Sequence, residues 1–338
     1  MKKSLLIALF SLAFLSAFAT IWHVNNNAGV TSNFNSLDAA FSSAQVVNGD
    51  TLYVYGSSVT YGSPVNLTKR LTIIGPGYFL NQNTGLQVNL NPATIDQIIL
   101  NSGSEGSLIS GMVLSYCEAY SGNVVIQRNM VRRLLLHGAN CMVLQNYFYE
   151  IPDYTYAMYA YGTATGMIVA NNWMYYSPGN YYMSIYMEDT ASGSFYNNTI
   201  YGGCRFRNAE VYNSIIGYDR PGWQWEFSFD SFCSLHHNVL LSIYSWDWTV
   251  SVPAMGTGNV YNVSDQVFVQ TGSYDAYYQL CDGSPAIGAG VGGADCGMFG
   301  GATPYKLSGI PAIPTIYNFV APATGFTIPI QIGARSNN

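Results

Sequence analysis

Charge is what this sequence has least of: Lys, Arg, Asp and Glu make up 9% of its 338 residues. Lysine is scarcest, with Lys2, Lys3, Lys69 and Lys306 alone. Lys2 and Lys3 precede a mainly apolar run, Leu5 to Leu15, and then Ala17-Phe18-Ala19, the pattern of a secretory signal peptide cleaved before Thr20. A retained N-terminal anchor is the alternative. Removing 1–19 leaves 319 residues with ten basic against eighteen acidic side chains. Without clustered Lys or Arg such a chain repels nucleic acid and acidic membrane surfaces, and a long acidic glycan is disfavoured as a ligand. No run after residue 19 approaches the roughly 20 apolar residues of a membrane helix, so the exported chain is expected to have no transmembrane segment. No cysteine follows the small residues at 17–19, which argues against a lipid anchor.

The six cysteines (117, 141, 204, 233, 281 and 296) are widely spaced, with no C-x-x-C and no His/Cys cluster, so no zinc site is expected. Export permits disulfides, and the spacing leaves their pairing open. Also missing are the 3.6-residue apolar stripes of helical repeats.

Aromatic residues, by contrast, reach 15%, with 28 tyrosines. Exposed tyrosine on a secreted protein suits stacking on sugars, and tyrosine is equally a good strand residue. A phrase also recurs: "SLISGMVL", "VVIQRNMV", "MVLQNYF", "MIVANNWM", "SFYNNTI", "EVYNSII" and "SLHHNVL" each set a small polar residue between short apolar stretches. That residue is Gly111, Asn129, Asn146, Asn172, Asn198, Ser214 and Asn238, at steps of 16 to 26 residues. A variable period of this size points to a solenoid of strands. Stacked about 4.8 Å apart, the asparagines would form an internal hydrogen-bonded ladder. In the doublet at 197 and 198, Asn198 is expected inside and Asn197 outside at the bend. Of His236 and His237, one is expected to face the core.

These phrases resemble the right-handed parallel β-helix of the pectate-lyase-like superfamily. "NSLDAAFSSAQVVNGDTLYVYGSSVTYGSPVNLTKRLTIIGPG" is similar to the entry of such proteins, with a capping helix around Leu37 to Ala44, Gly49-Asp50-Thr51 opening the first strand and "LTIIG" a first full turn. "YYQLCDGSPAIGAGVGGADCGMFGG" resembles their closing turn. "IGPGYFL" and "PYKLSGIPAIPTIYNF" resemble a family of secreted Bacteroidota β-helix proteins. The resemblance implies an all-β fold: signal peptide at 1–19, right-handed parallel β-helix at 20–302, and at 303–338 an extended tail that packs on or caps the coil. Prolines 311, 314, 322 and 329 keep the tail out of a central strand, and a last strand is expected around Phe326 to Ile332.

Enzymes of the superfamily work on an outward face. Aligning "RLLLHGAN", "YAYGTATG", "IYMEDTASG", "CRFRNA" and "WEFSFDSF" by two-residue alternation puts His137, then Tyr159 and Tyr161, Tyr186 and Glu188, Arg205 and Arg207, and Glu226 and Asp230 outward, with Trp223 and Trp225 on the adjoining turn. One reading is a groove for a neutral or weakly charged glycan, with Tyr159, Tyr161, Tyr186, Arg205, Arg207, Trp223 and Trp225 binding it. The other is a charge ladder in which Glu188, Arg205 and Glu226 satisfy each other. If the protein were a polysaccharide-degrading enzyme, a hydrolase before a lyase, Glu188, Glu226 or Asp230 would supply the acid and base. The polygalacturonase-like signature is absent apart from an isolated His137-Gly138. No cofactor is expected, and Ca2+ is possible but not indicated, because acidic ligands do not cluster beyond Glu188-Asp189. The expectation is therefore a secreted, monomeric β-helix protein that binds a glycan or serves as an envelope scaffold.

Overall fold

In many strands the three-residue pattern half-buried, buried, half-buried recurs, as in Val125–Gln127 and Met142–Leu144, where Ile126 and Val143 are fully enclosed. Alternation of this kind sends every second side chain inward. Each enclosed Ile or Val contributes about 1.5–3 kcal/mol of transfer free energy. A computed structural model describes residues 19–62, 65–149, 156–175, 183–217, 227–241, 256–264, 266–321 and 330–337. The expected signal peptide, apart from Ala19, and Trp223, Trp225 and Glu226 lie outside the described residues.

The described chain is all-β apart from short helical turns, and its sheets are long and parallel. One sheet has ten strands, from Ile21–Val24 at one edge to Ser234–His236 at the other. The second has fifteen and divides into two arms at strand Val113–Ala119. The first residues of that strand pair with Met130–Val131, and its last three with Leu134–Leu136. The first arm continues through Tyr147–Phe148, Trp173–Tyr175 and Thr199–Tyr201, the second through Tyr156–Ala160, Met183–Met187 and Gly203–Phe206. The chain visits the ten-stranded sheet, the first arm and the second arm in rotation, advancing one strand in each stack, an order consistent with a β-solenoid. A single apolar cluster from Val24 to Leu240 fills the interior.

Ser36 starts the one α-helix among the described residues, Leu37–Ser42, its hydroxyl accepting from Ala39 N at 3.1 Å. Leu37, Ala40 and Phe41 are its buried face. Strand Ile21–Val24 precedes Thr51–Val54 in the ten-stranded sheet, so Gly49-Asp50-Thr51 opens the second strand there, not the first.

The bend between the ten-stranded sheet and the first arm has a fixed recipe. One residue adopts positive φ: Arg128, Gln145, Asn171, Asn197, Asn213 and His237 all lie between 51° and 56°. The next residue, Asn129, Asn146, Asn172, Asn198, Ser214 or Asn238, is fully enclosed. Each ladder amide nitrogen donates inward to a main-chain carbonyl, as Asn172 does to Val143 O at 2.8 Å. Asn172 also donates from Nδ2 and from its backbone N to Asn198 Oδ1, both at 3.0 Å. The series continues to Asn259, whose Oδ1 accepts from Asn238. Gly111 does not share this position. With φ of 71° it is the bend residue, and Met112 N donates to Asn129 Oδ1.

Residues 277–301 contribute no strand to either parallel sheet. Instead, 291–310 runs back along the bends. Asn213 Oδ1 accepts from Val291 N, Asn197 Nδ2 donates to Asp295 O, and Asn171 Nδ2 donates to the carbonyls of Met298 and Gly300. Farther along, Gln145 Nε2 donates to Thr303 O and Pro304 O, and Arg128 to Ile310 O. An antiparallel hairpin, Thr315–Val320 with Gln331–Arg335, follows. Most of the strand expected at Phe326 to Ile332 lies outside the described residues; the observed one begins at Gln331. All six cysteines are unpaired.

Candidate functional site

The two arms present aromatic side chains outward, and the chain treats them differently. On the first arm, Trp173 is covered by the C-terminal segment, its ring lying 3.4 Å from that of Tyr278. Tyr78, Trp173, Met298 and Tyr305 form a closed cluster there, flanked by Tyr147, Tyr175 and Tyr201. Burial pushes the Tyr147 and Tyr201 hydroxyls well above the usual tyrosine range. On the second arm, the described tail makes no such contact, and the outward row stays half-exposed except at Leu135, which is buried.

Register fixes that outward row. Glu118, Leu135, Tyr159, Tyr186 and Arg205 are directly paired along the stack. Two residues farther on come Tyr120, His137, Tyr161, Glu188 and Arg207, which alternation puts on the same side. The His137 ring is sandwiched, 4.3 Å from Tyr120 and 3.8 Å from Tyr161. Tyr159 stacks on Tyr186 at 4.9 Å, and the Arg205 guanidinium lies 4.8 Å from the Tyr186 ring centre. Ring faces are thus spent on one another along the stack, and the Tyr159 and Tyr186 hydroxyls on Glu188 and Arg205.

The carboxylates of this face are already engaged. Glu188 accepts from Tyr159 OH at 2.8 Å and Gly162 N at 2.7 Å. It does not pair with Arg205, which corrects the expected charge ladder. Asp189 holds Arg205 and Arg207 instead, because the turn after Met187 swings Asp189 across to the next strand. Both guanidinium groups keep the exposed Asp189 carboxyl below the usual range. Asp230 accepts from the backbone N of Asn208 and Phe232, a turn-closing role. Glu226, Trp223 and Trp225 lie outside the described residues.

Sequence reasoning passed over the other end of the row. Glu118 accepts from His137 Nε2 at 2.9 Å and from Tyr116 OH at 3.0 Å. Burial alone would push its carboxyl up, but bonds from His137, Tyr120 and Tyr116 outweigh it and hold Glu118 below its usual range. The signal was present in "VLSYCEAY": Tyr116, Glu118 and Tyr120 alternate with enclosed Cys117 and Ala119, one turn before "RLLLHGAN". Tyr116 and Tyr159 are both raised by burial and by donating to a carboxylate.

His236 and His237 are both half-buried, and neither faces the core. His236 stacks on Tyr212 at 5.2 Å, with Nε2 3.2 Å from Glu210, while His237 takes the positive-φ bend position. The inward places belong to Leu235 and Asn238. Among the described residues no three His, Cys, Asp or Glu side chains converge as a metal ion would require. No described helix is long and apolar enough to cross a membrane.

No protein-family model matches the chain, and no curated protein is similar to it.

Proposed function

We propose that the protein is a secreted or cell-surface right-handed parallel β-helix of the pectate-lyase-like kind that binds a neutral or weakly charged glycan on the outer face of its second arm, without turning it over. In this reading residues 1–19 are the signal peptide, 20–302 the coil capped by helix Leu37–Ser42, and 303–338 the tail. The observation that carries the proposal is the contrast between the arms: Tyr278, Met298 and Tyr305 from the C-terminal segment pack on the aromatic face of the first arm, while the second arm keeps Tyr120, His137, Tyr159, Tyr161 and Tyr186 in a half-exposed row.

The stacked rings favour a particular mode of recognition. The two arginines and the exposed Asp189 beside their edges suit hydrogen bonding to sugar hydroxyls along an extended polymer. The half-exposed ring of Tyr120 ends the stack and suits contact with a sugar face. Because Glu188 and Asp230 are held by donors from the chain itself, turnover would first require breaking those contacts.

A glycan array followed by a reducing-end assay on each hit tests this reading. Binding to neutral polysaccharide, weakened about tenfold or more by Tyr161→Ala, with no new reducing ends, is expected. New reducing ends abolished by Glu188→Gln would make the protein a polysaccharide-degrading enzyme, a hydrolase if the products carry no new C=C absorbance, and absence of any binding would leave an envelope scaffold.

A further inference from the structure

The start of the exported chain meets a buried carboxylate. Asp50 is 1% exposed, and its two oxygens accept from Thr20 N at 2.8 Å, Trp22 Nε1 at 2.8 Å and Val47 N at 2.9 Å. Among the described residues no Lys or Arg side chain stands within ion-pair distance of it. Lys69 acts on Asp50 from farther away, with its ammonium committed to the carbonyls of Ser43 at 2.7 Å and Val46 at 2.9 Å. Arg70, next in sequence, accepts Gly49 N at its carbonyl. A carboxylate this enclosed, with N–H donors but no cation in contact, has room for one positive charge among its partners. Thr20 is the residue that follows Ala17-Phe18-Ala19.

We infer that cleavage before Thr20 creates a specific ion pair: the new α-ammonium of Thr20 is captured by Asp50, and signal-peptide removal thereby locks the first strand of the coil. In the uncut chain Thr20 N is a neutral amide that donates one hydrogen bond. Hydrolysis of the Ala19–Thr20 peptide bond leaves a carboxylate on Ala19 and a protonated amine on Thr20, so the same contact becomes charge-assisted. The contact sits at the start of the register, since Thr51 N donates to Thr20 O at 2.9 Å and Ile21 pairs with Thr51. Strand Ile21–Val24 is the edge of the ten-stranded sheet; its outer side is held at the far end by a bridge from Val24 to Phe34, so the contact at Thr20 pins the opposite end of the strand. This inference rests on the export reading but not on glycan binding.

The test compares the chain beginning at Thr20 with the same chain acetylated on that amine, each with Asp50 intact and as Asp50→Asn. The α-amino pKa, read from the pH dependence of its labelling rate, is expected about one unit above the usual 7.7–8.0. A raised amine stabilises the fold fully below the unfolded value, and this stabilisation is lost as pH rises through the folded value. The free-amine chain should therefore melt above the acetylated chain at pH 6–7, the gap closing at higher pH and being absent in the Asp50→Asn pair. A pKa in the ordinary range, or a gap unchanged by Asp50→Asn, overturns the capture. Should Asp50→Asn fail to fold, the pH dependence of the acetylation gap decides alone. Mass measurement of the exported protein's first residue is separate: Thr20 is expected, and any other start overturns the coupling to cleavage without touching the glycan proposal.

Discussion

A buried asparagine is tolerated at 198 because its side chain is fully spent. Asn198 Oδ1 accepts twice from Asn172, and Nδ2 donates to Val169 O at 2.8 Å. Asn198→Leu strands two donors on Asn172 and one carbonyl, each worth about 1–3 kcal/mol. Unfolding free energy should fall by about 3 kcal/mol or more in denaturant titration, against no measurable change for Gln45→Ala on the surface; equal effects would dissolve the ladder account. Glu118 supplies a pH prediction. Its carboxyl is held below the usual value, so its contribution is present above about pH 4.3 and lost as pH falls through the lowered folded value. Wild type should lose stability more steeply than Glu118→Gln across that acid range, and parallel pH curves would refute it. Single residues were unevenly legible from the chain alone. For the doublet at 197 and 198 the recurring phrase aligns Asn198 with the ladder, whereas Asn197, expected outside at the bend, is buried as it donates to Asp295 O. Gly111 was misread, since a glycine bend residue before Met112 looks like the small polar ladder member. Asp189 and Glu118 were missed because their roles come from neighbouring strands of the stack, which spacing within one phrase does not encode.

At the scale of the element, the bend joins two functions in adjacent residues. The positive-φ residue reads the tail, and the following one joins the ladder. Asparagine is suited to the first task, because it tolerates positive φ and carries an amide to donate. Asn171 does both, donating at 3.0 Å to Met298 O and 2.8 Å to Gly300 O. Substituting Asn171→Ala should cost about 1–3 kcal/mol and raise hydrogen exchange in residues 296–305 roughly tenfold. The Asn171→Gly variant keeps the bend conformation and loses only the grip, so exchange of the tail should rise while the strands on either side remain protected. Unchanged exchange in both variants would mean that the tail is held by its aromatic contacts alone. The tail's path was not legible in sequence: prolines showed that it could not enter a central strand, but only the contacts of Asn213, Asn197, Asn171, Gln145 and Arg128 reveal its direction and its start near Val291.

For the whole molecule, the repeat was the strongest signal, and the long parallel sheets follow from it: strands that recur with the same alternation stack in register and bury one continuous core. What composition could not separate was the use of tyrosine. Tyr147, Trp173 and Tyr201 pack in one cluster with Met298 and Tyr305 of the C-terminal segment, whereas Tyr159, Tyr161 and Tyr186 stack on the second arm, and all of them look alike in sequence. Concavity gives no shortcut, since a cavity of 680 Å³ lies between the hairpin and the start of the ten-stranded sheet, lined by His23, Tyr53, Tyr55 and Phe319. The most direct measurement is hydroxyl-radical footprinting of the chain beginning at Thr20 with and without a glycan that the array identifies. The account predicts protection of Tyr120, Tyr159, Tyr161 and Tyr186, with Tyr53 and Tyr55 unchanged. Protection confined to Tyr53, Tyr55 and Phe319, with the second arm untouched, would contradict it.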